Sequence, residues 1–229
     1  MNAAFIEIAP GFAGYATGFD AGPRPGLILI QEIFGVNANM RSLADRFAAE
    51  GYAVLAPDLF WRLEPRVDLT DQSDADWQKA YSLYQRFDVA QGVKDIAIAI
   101  RFARARIGEG AKIGAVGYCL GGLMALLTAT RTDIDAVASY YGVGMDQFDS
   151  EFAAITAPTL LHIAERDQYV PAKAREAILA AAAANPRVSA FVYADRDHAF
   201  AREGGAHWHA EDAQVANQRT AAHFAGALK

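Results

Sequence analysis

Apolar residues along this chain follow two different rhythms. One is a set of short, dense runs: residues 4–8 and 13–18, then 27–31 (LILIQ), 52–56 (YAVLA), 112–117 (KIGAVG), 136–140 (AVASY), 159–164 (TLLHIA) and 188–193 (VSAFVY). The first two, separated by Pro10 and Gly11, read as an opening hairpin. Runs of five or six apolar residues without polar alternation suit strands buried on both faces, as in a parallel sheet. The second rhythm is helical. Residues 40–50 carry Leu43, Phe47 and Ala48 at helical spacing, with Gly51 as the stop. Residues 76–87, 89–106, 120–130, 171–184 and 210–228 follow the same pattern, and the segment 171–184 opens on a proline at a first-turn position. Strand and helix in turn predict an α/β fold with a mostly parallel central sheet of about eight strands and helices on both faces. Residues 1–229 read as a single domain. The stretch 59–73 has no clear period and is expected to form a loop near a functional edge.

Composition narrows the class. The 229 residues are 53% hydrophobic and 21% charged, with a formal net charge of -6. That is a globular chain with a full core, not a disordered one. A lone cysteine, Cys119, excludes a disulfide scaffold. The acidic balance argues against a nucleic-acid partner, and no apolar run approaches the ~18–20 residues of a membrane span. The start, MNAAFIEIAPG, lacks the basic-then-apolar pattern of a secretory leader. A cytoplasmic setting, in which a lone thiol stays reduced, is the expectation, together with a monomeric or weakly oligomeric state.

The most informative segment is Gly117-Tyr118-Cys119-Leu120-Gly121-Gly122. A strand ends, a helix begins, and a cysteine sits on the turn between them. This is the pattern of a nucleophile elbow with Cys in the place of Ser. The glycines are required because the turn is strained and side chains beside it would meet the neighbouring strand and helix. The helix N-terminus favours a thiolate, and the amide of Leu120 is placed to donate to an oxyanion. A buried structural thiol is the alternative for any isolated cysteine. A phosphate loop is excluded because no Lys-Ser or Lys-Thr follows Gly122, and the dinucleotide pattern G-x-G-x-x-G is absent here.

A thiol nucleophile needs a base, and the base needs an acceptor to orient it. Of the five histidines, His162 is mid-strand, His207 and His209 flank Trp208, and His223 lies inside the last helix. His198 follows the last strand, where an α/β sheet exposes catalytic groups. The acid is expected after the preceding strand, at Asp167, with Glu165 its nearest rival and a simple capping role the alternative for Asp167. No spacing suggests a metal site, and no cofactor is implied.

At these residues the chain resembles the dienelactone hydrolase family (carboxymethylenebutenolidases), which has the α/β-hydrolase fold. The resemblance covers nearly the whole chain. It is carried by Gln31-Glu32-Ile33-Phe34-Gly35, Ala56-Pro57-Asp58-Leu59, the elbow, Tyr140-Tyr141-Gly142-Val143-Gly144, Arg166-Asp167-Gln168-Tyr169-Val170-Pro171 and His198-Ala199-Phe200-Ala201-Arg202. It implies a catalytic triad of Cys119, Asp167 and His198, with Glu32 as a fourth active-site residue. The amides of Ile33 and Leu120 would form the oxyanion hole. Arg202, Tyr81, Trp77 and Tyr141 are the implied substrate contacts. Glu32 would hold the resting thiol and swing toward Arg202 when substrate enters, leaving His198 to complete the thiolate. The implied reaction is hydrolysis of an ester or lactone through a thioester, of the carboxymethylenebutenolide-to-maleylacetate type found in aromatic degradation. Two departures stand out: better-known members carry an arginine where this chain has Trp77, and a serine where it has Ala199. Both losses weaken the case for a dianionic or strongly carboxylate-selective substrate. The competing readings are a promiscuous short-chain carboxylesterase, a non-catalytic ligand-binding module on a hydrolase fold, and a thiol redox sensor. The last is weakened by the absence of a second cysteine.

Overall fold

The computed structural model describes residues 3–108 and 110–229. Its eight strands form a mostly parallel sheet in the order β1-β2-β4-β3-β5-β6-β7-β8. By contact density the chain divides into two compact units, Met1–Gly114 and Ala115–Lys229.

The first unit opens with the expected hairpin. Strands β1 (Ala4–Ala9) and β2 (Phe12–Thr17) pair antiparallel. Gly11 turns the chain at φ 76°, a conformation glycine adopts without strain. Strand β2 pairs antiparallel with β4 (Ala53–Pro57), and β4 pairs parallel with β3 (Gly26–Ile30). Every residue of β3 and β4 is buried, which is what uninterrupted apolar runs predict for interior strands. Helix α1 (Ala38–Ala49) starts two residues before the expected position. Asn37, whose side chain accepts the Met40 N–H at 3.1 Å, is its N-cap. Helices α2 (Asp74–Arg86) and α3 (Val89–Ile107) are capped in the same way by Ser73 and Asp88.

The aperiodic stretch is a set of turns held by buried polar groups. The Asp58 carboxylate accepts the N–H groups of Phe60 (3.1 Å) and Arg66 (2.6 Å), and the Gln31 side-chain oxygen Oε1 accepts that of Leu59 (3.0 Å). Burial raises the Asp58 pKa against the lowering effect of those amide donors. Gly35 sits at φ 80° beside Val67, whose carbonyl oxygen would lie 2.0 Å from a side-chain carbon at that position. The motif residues Gln31, Gly35 and Asp58 therefore shape one loop structure beyond the ends of β3 and β4.

The second unit holds β6 (Ala136–Tyr140), β7 (Thr159–Ala164) and β8 (Val188–Tyr193), paired in parallel. Strand β5 (Ile113–Tyr118) crosses the division between the units. Helix α4 (Leu120–Arg131) is buried from residue 120 to 129, and α5 (Ala172–Ala183) and α6 (Ala210–Leu228) complete the unit. Three details differ from the sequence expectations. Pro171 is the N-cap of α5, not part of its first turn. A 3-10 segment at Met145–Ala154, kinked at Phe148, has no periodic signature. Strand β8 is last in the sheet order and exposes Ser189, Phe191 and Val192, so it is not buried on both faces.

Candidate active site

The elbow forms because glycine permits two backbones to touch. A side-chain carbon on Gly117 would lie 1.9 Å from the Gly121 carbonyl oxygen, and one on Gly122 would lie 2.7 Å from both Tyr140 O and Gly142 Cα. Strand β5 and helix α4 can thus meet at a single residue. That residue, Cys119, adopts φ 57° and ψ -116°, a conformation that L side chains disfavour. Main-chain bonds hold it there. The Cys119 N–H donates to Tyr140 O at 3.1 Å, and the Cys119 carbonyl accepts the Gly122 N–H at 2.9 Å. Leu120 is the first residue of α4, so its N–H has no partner within the helix. The partial positive charge of that helix end favours an anion at the sulfur.

His198 and Asp167 come from the turns that follow β8 and β7. The His198 Nδ1–H donates to Asp167 Oδ2 at 2.7 Å, and both side chains are buried. The second Asp167 oxygen accepts the Tyr169 N–H at 2.8 Å, so the carboxylate is held at both ends. The Cys119 side chain also acts on the His198 ring, and Nε2 is the ring nitrogen that Asp167 does not engage. Burial opposes a charged imidazole, but the Cys119 sulfur and the Asp167 carboxylate together outweigh it. They push the His198 pKa up to about 10. The site therefore favours a charged imidazolium at His198. Asp167, not Glu165, orients the base; the Glu165 carboxylate accepts the Asp195 N–H at 2.9 Å instead.

Aromatic rings wall this group. Tyr141, at φ 38°, places its ring centroid 5.1 Å from that of His198, and Tyr169 stands edge-on to the imidazole at 4.9 Å. Tyr169 was not singled out by sequence; its position two residues after an orienting aspartate was the available signal. Ala199, buried directly after His198, takes φ 63°. Arg202 is half-buried, and its N–H donates to Ala199 O at 2.9 Å.

The remaining candidates belong to the first unit. Glu32 and Ile33 are buried in the turn after β3, and the Gln31 side chain donates to Glu32 O at 3.3 Å. Trp77 is half-buried in α2. It packs edge-on against Phe34 at 4.9 Å, and its Nε1–H donates to Asp71 O at 3.1 Å. Tyr81, four residues on, is exposed with its ring against Tyr84. The two rings therefore have different neighbours despite their shared helical spacing.

Other histidines have structural surroundings. His162 is fully buried, with Nδ1 bonded to Tyr193 Oη at 2.8 Å and Nε2 to Thr220 Oγ1 at 2.9 Å. His207 and His209 face Asp197 and Asp212, respectively. Among the described residues, no cluster of three or more His, Cys, Asp or Glu could hold a metal ion.

A strand–turn–helix elbow on a mostly parallel eight-stranded sheet, followed by an acid turn and a histidine turn, defines an enzyme of the α/β-hydrolase class. Solved structures agree. A putative dienelactone hydrolase from Klebsiella pneumoniae superposes with a TM-score of 0.84 at 28% identity, covering 98% of each chain. A Pyrococcus furiosus esterase shares the fold, with a TM-score of 0.72 at 14% identity, covering 100% of this chain and 93% of its own. The particular family follows from sequence: a model of the dienelactone hydrolase family matches residues 12–228, and the chain belongs to that family. It is 50% identical over 204 residues to a putative carboxymethylenebutenolidase of Azospirillum brasilense, covering 89% of this chain and 87% of the relative. It is 39% identical over 197 residues to a carboxymethylenebutenolidase of Pseudomonas putida, covering 86% and 84%. The protein is a dienelactone hydrolase-like hydrolase.

Proposed function

We propose that this enzyme hydrolyses a small ester or lactone through Cys119. The observation that carries the reading is the His198–Asp167 hydrogen bond at 2.7 Å, with Cys119 acting on the same imidazole from a strained turn at a helix N-terminus. The Cys119 thiolate attacks the ester carbonyl carbon, and the carbonyl π electrons move onto oxygen. The Leu120 N–H receives that oxyanion, and the family resemblance gives the Ile33 N–H as the second donor. Collapse breaks the acyl C–O bond, and the departing oxygen takes the proton held on the His198 imidazolium, leaving a thioester. Water then gives a proton to His198 and attacks the thioester. The thiolate leaves, and the product is a carboxylic acid. In a lactone the departing oxygen stays tethered to the acyl group through both steps, and the product is a single ring-opened acid.

Glu32 and Arg202 are assigned by resemblance, Glu32 as the residue that restrains the thiol before substrate enters and Arg202 as the clamp for a substrate carboxylate. An arginine fork suits that clamp. A lactone of the carboxymethylenebutenolide type is the first substrate to test. The second reading, a short-chain esterase of wide tolerance, is favoured by one observation: the family arginine position is Trp77, whose indole is already engaged by Phe34 and Asp71. The family match runs through both compact units, which supports treating residues 1–229 as one functional domain.

The test is turnover of cis- and trans-dienelactone and of p-nitrophenyl acetate by wild type, Cys119→Ala and Trp77→Arg. Cys119→Ala is expected to lose at least about a thousandfold in kcat; undiminished turnover refutes the cysteine mechanism. Preference for the charged lactones supports the first reading, and preference for the neutral ester the second. A gain on carboxylate-bearing lactones by Trp77→Arg would show that this position selects for substrate charge.

A further inference from the structure

We propose that Glu165 is a positioning residue: its carboxylate clasps the turn that carries His198 and so keeps the imidazole aimed at Cys119. The inference rests on the reading of Cys119 and His198 given above, and extends it to a side chain outside the triad.

The clasp begins where the sheet ends. The last β7–β8 pair is Ala164 with Tyr193. Beyond it the two turns remain bonded: the Glu165 N–H donates to Tyr193 O at 3.1 Å, and the Arg166 N–H donates to Arg196 O at 2.8 Å. Between these main-chain bonds Glu165 Oε2 accepts the Asp195 N–H at 2.9 Å. The Arg166 guanidinium pairs with the Asp195 carboxylate, and Arg175 donates to the Glu165 carbonyl. Asp167 lies two residues after Glu165 and His198 three residues after Asp195, so these bonds tie the acid's turn to the base's turn.

The tie matters because the base's turn is strained. Asp195 and Ala199, on either side of His198, take φ 60° and φ 63°. Neither is glycine; alanine disfavours that conformation, and aspartate adopts it more readily but still less freely than glycine. Main-chain bonds alone do not reach the Asp195 N–H; the Glu165 carboxylate does. A charged acceptor on a backbone N–H is among the stronger hydrogen bonds. Without it, Asp195 would relax toward ordinary φ values, and rotation there displaces His198. Displacements near 1 Å at a catalytic group cost large factors in rate.

The test compares Glu165→Ala, Glu165→Gln and the double variant Glu165→Ala/Asp195→Gly, with p-nitrophenyl acetate as substrate and thermal unfolding measured in parallel. Glu165→Ala is expected to lower kcat about tenfold with KM within about twofold. Glu165→Gln keeps an acceptor oxygen and should recover most of the loss. Glycine takes φ 60° without strain, so the double variant should also recover kcat. An unchanged kcat in Glu165→Ala overturns the proposal. So does an equal loss in the alanine and glutamine variants, or a loss that active-site titration traces wholly to fewer folded molecules. Cys119→Ala in the same assay separates the two layers. If it stays active the cysteine reading fails; if it is dead while Glu165→Ala is unaffected, only the clasp fails.

Discussion

The turn that carries Cys119 and the turn that carries His198 solve one problem in two ways. Each must hold a side chain beyond the end of a strand on a turn that contains left-handed backbone, at Cys119 itself in one and at Asp195 and Ala199 around His198 in the other. At Cys119 the support is contact: Gly117 lies against Gly121, Gly122 lies against Tyr140 and Gly142, and the space allows no alternative path. Around His198 the support is a set of hydrogen bonds, from Glu165 to the Asp195 N–H and between the main chains of two neighbouring turns. Packing against backbone is stiff and local. A hydrogen-bonded tie is adjustable and depends on residues some thirty positions away, as the separation between Glu165 and Asp195 shows. The nucleophile is therefore set by close backbone packing of its own segment on itself and on Tyr140–Gly142, whereas the base is set by hydrogen bonds from a partner turn.

The sharpest way to break the first arrangement is Gly117→Ala. The added carbon would press on the Gly121 carbonyl oxygen, and no flexible side chain can yield. A stability loss of about 3 kcal/mol or more is expected, read as a fall in the urea midpoint together with lost turnover. The matching change at the base is Asp167→Asn. It should leave the fold intact, because a side-chain oxygen can still accept the Tyr169 N–H. An amide cannot favour the charged imidazole, so kcat is expected to fall by about 10²–10⁴, measured beside an unfolding curve that stays near wild type. If Asp167→Asn unfolds the protein while Gly117→Ala does not, the contrast is reversed.

A subtler separation uses pH. The floor of the elbow rests on His162, whose carbonyl accepts the Tyr141 N–H at 2.8 Å and whose ring lies 4.3 Å from that of Tyr140. Burial, aided by the positive charges of Arg219 and His223, lowers the His162 pKa to about 3. Its neutral form therefore contributes stability that is complete above pH 6.5 and lost as pH falls toward 3, on the order of a few kcal/mol. His198 behaves oppositely. With its pKa raised to about 10, its contribution is complete below pH 6.5 and lost as pH rises through 10. Urea unfolding across pH 4–10 should show both limbs. His162→Gln, which keeps hydrogen-bonding capacity but does not titrate, should flatten the acid limb alone. An unaltered acid slope in that variant would assign it elsewhere.

The sequence made much of this legible. Strands β6, β7 and β8 and helix α6 lie where their apolar runs and period place them, because burial rewards those patterns wherever the strand sits. The start of α1 was less clear: Asn37 caps the helix through a hydrogen bond that periodicity does not register. The 3-10 segment after β6 has no repeating apolar face to read. The exposure of β8 depends on its place at the end of the sheet order, which its own composition does not encode.

The candidate site divides along the same line. By itself the sequence determined the elbow, because glycines at fixed offsets and a helix start are local constraints on a short stretch of backbone. It also narrowed the base and acid to two turns through chain order. The tertiary structure alone decided that Asp167 and not Glu165 meets His198, that Glu165 turns to Asp195 instead, and that Trp77 is held by Phe34 and Asp71. Two carboxylates two residues apart are equivalent in composition. Only the path of the backbone beyond β7 sends one toward the imidazole and the other toward a main-chain N–H.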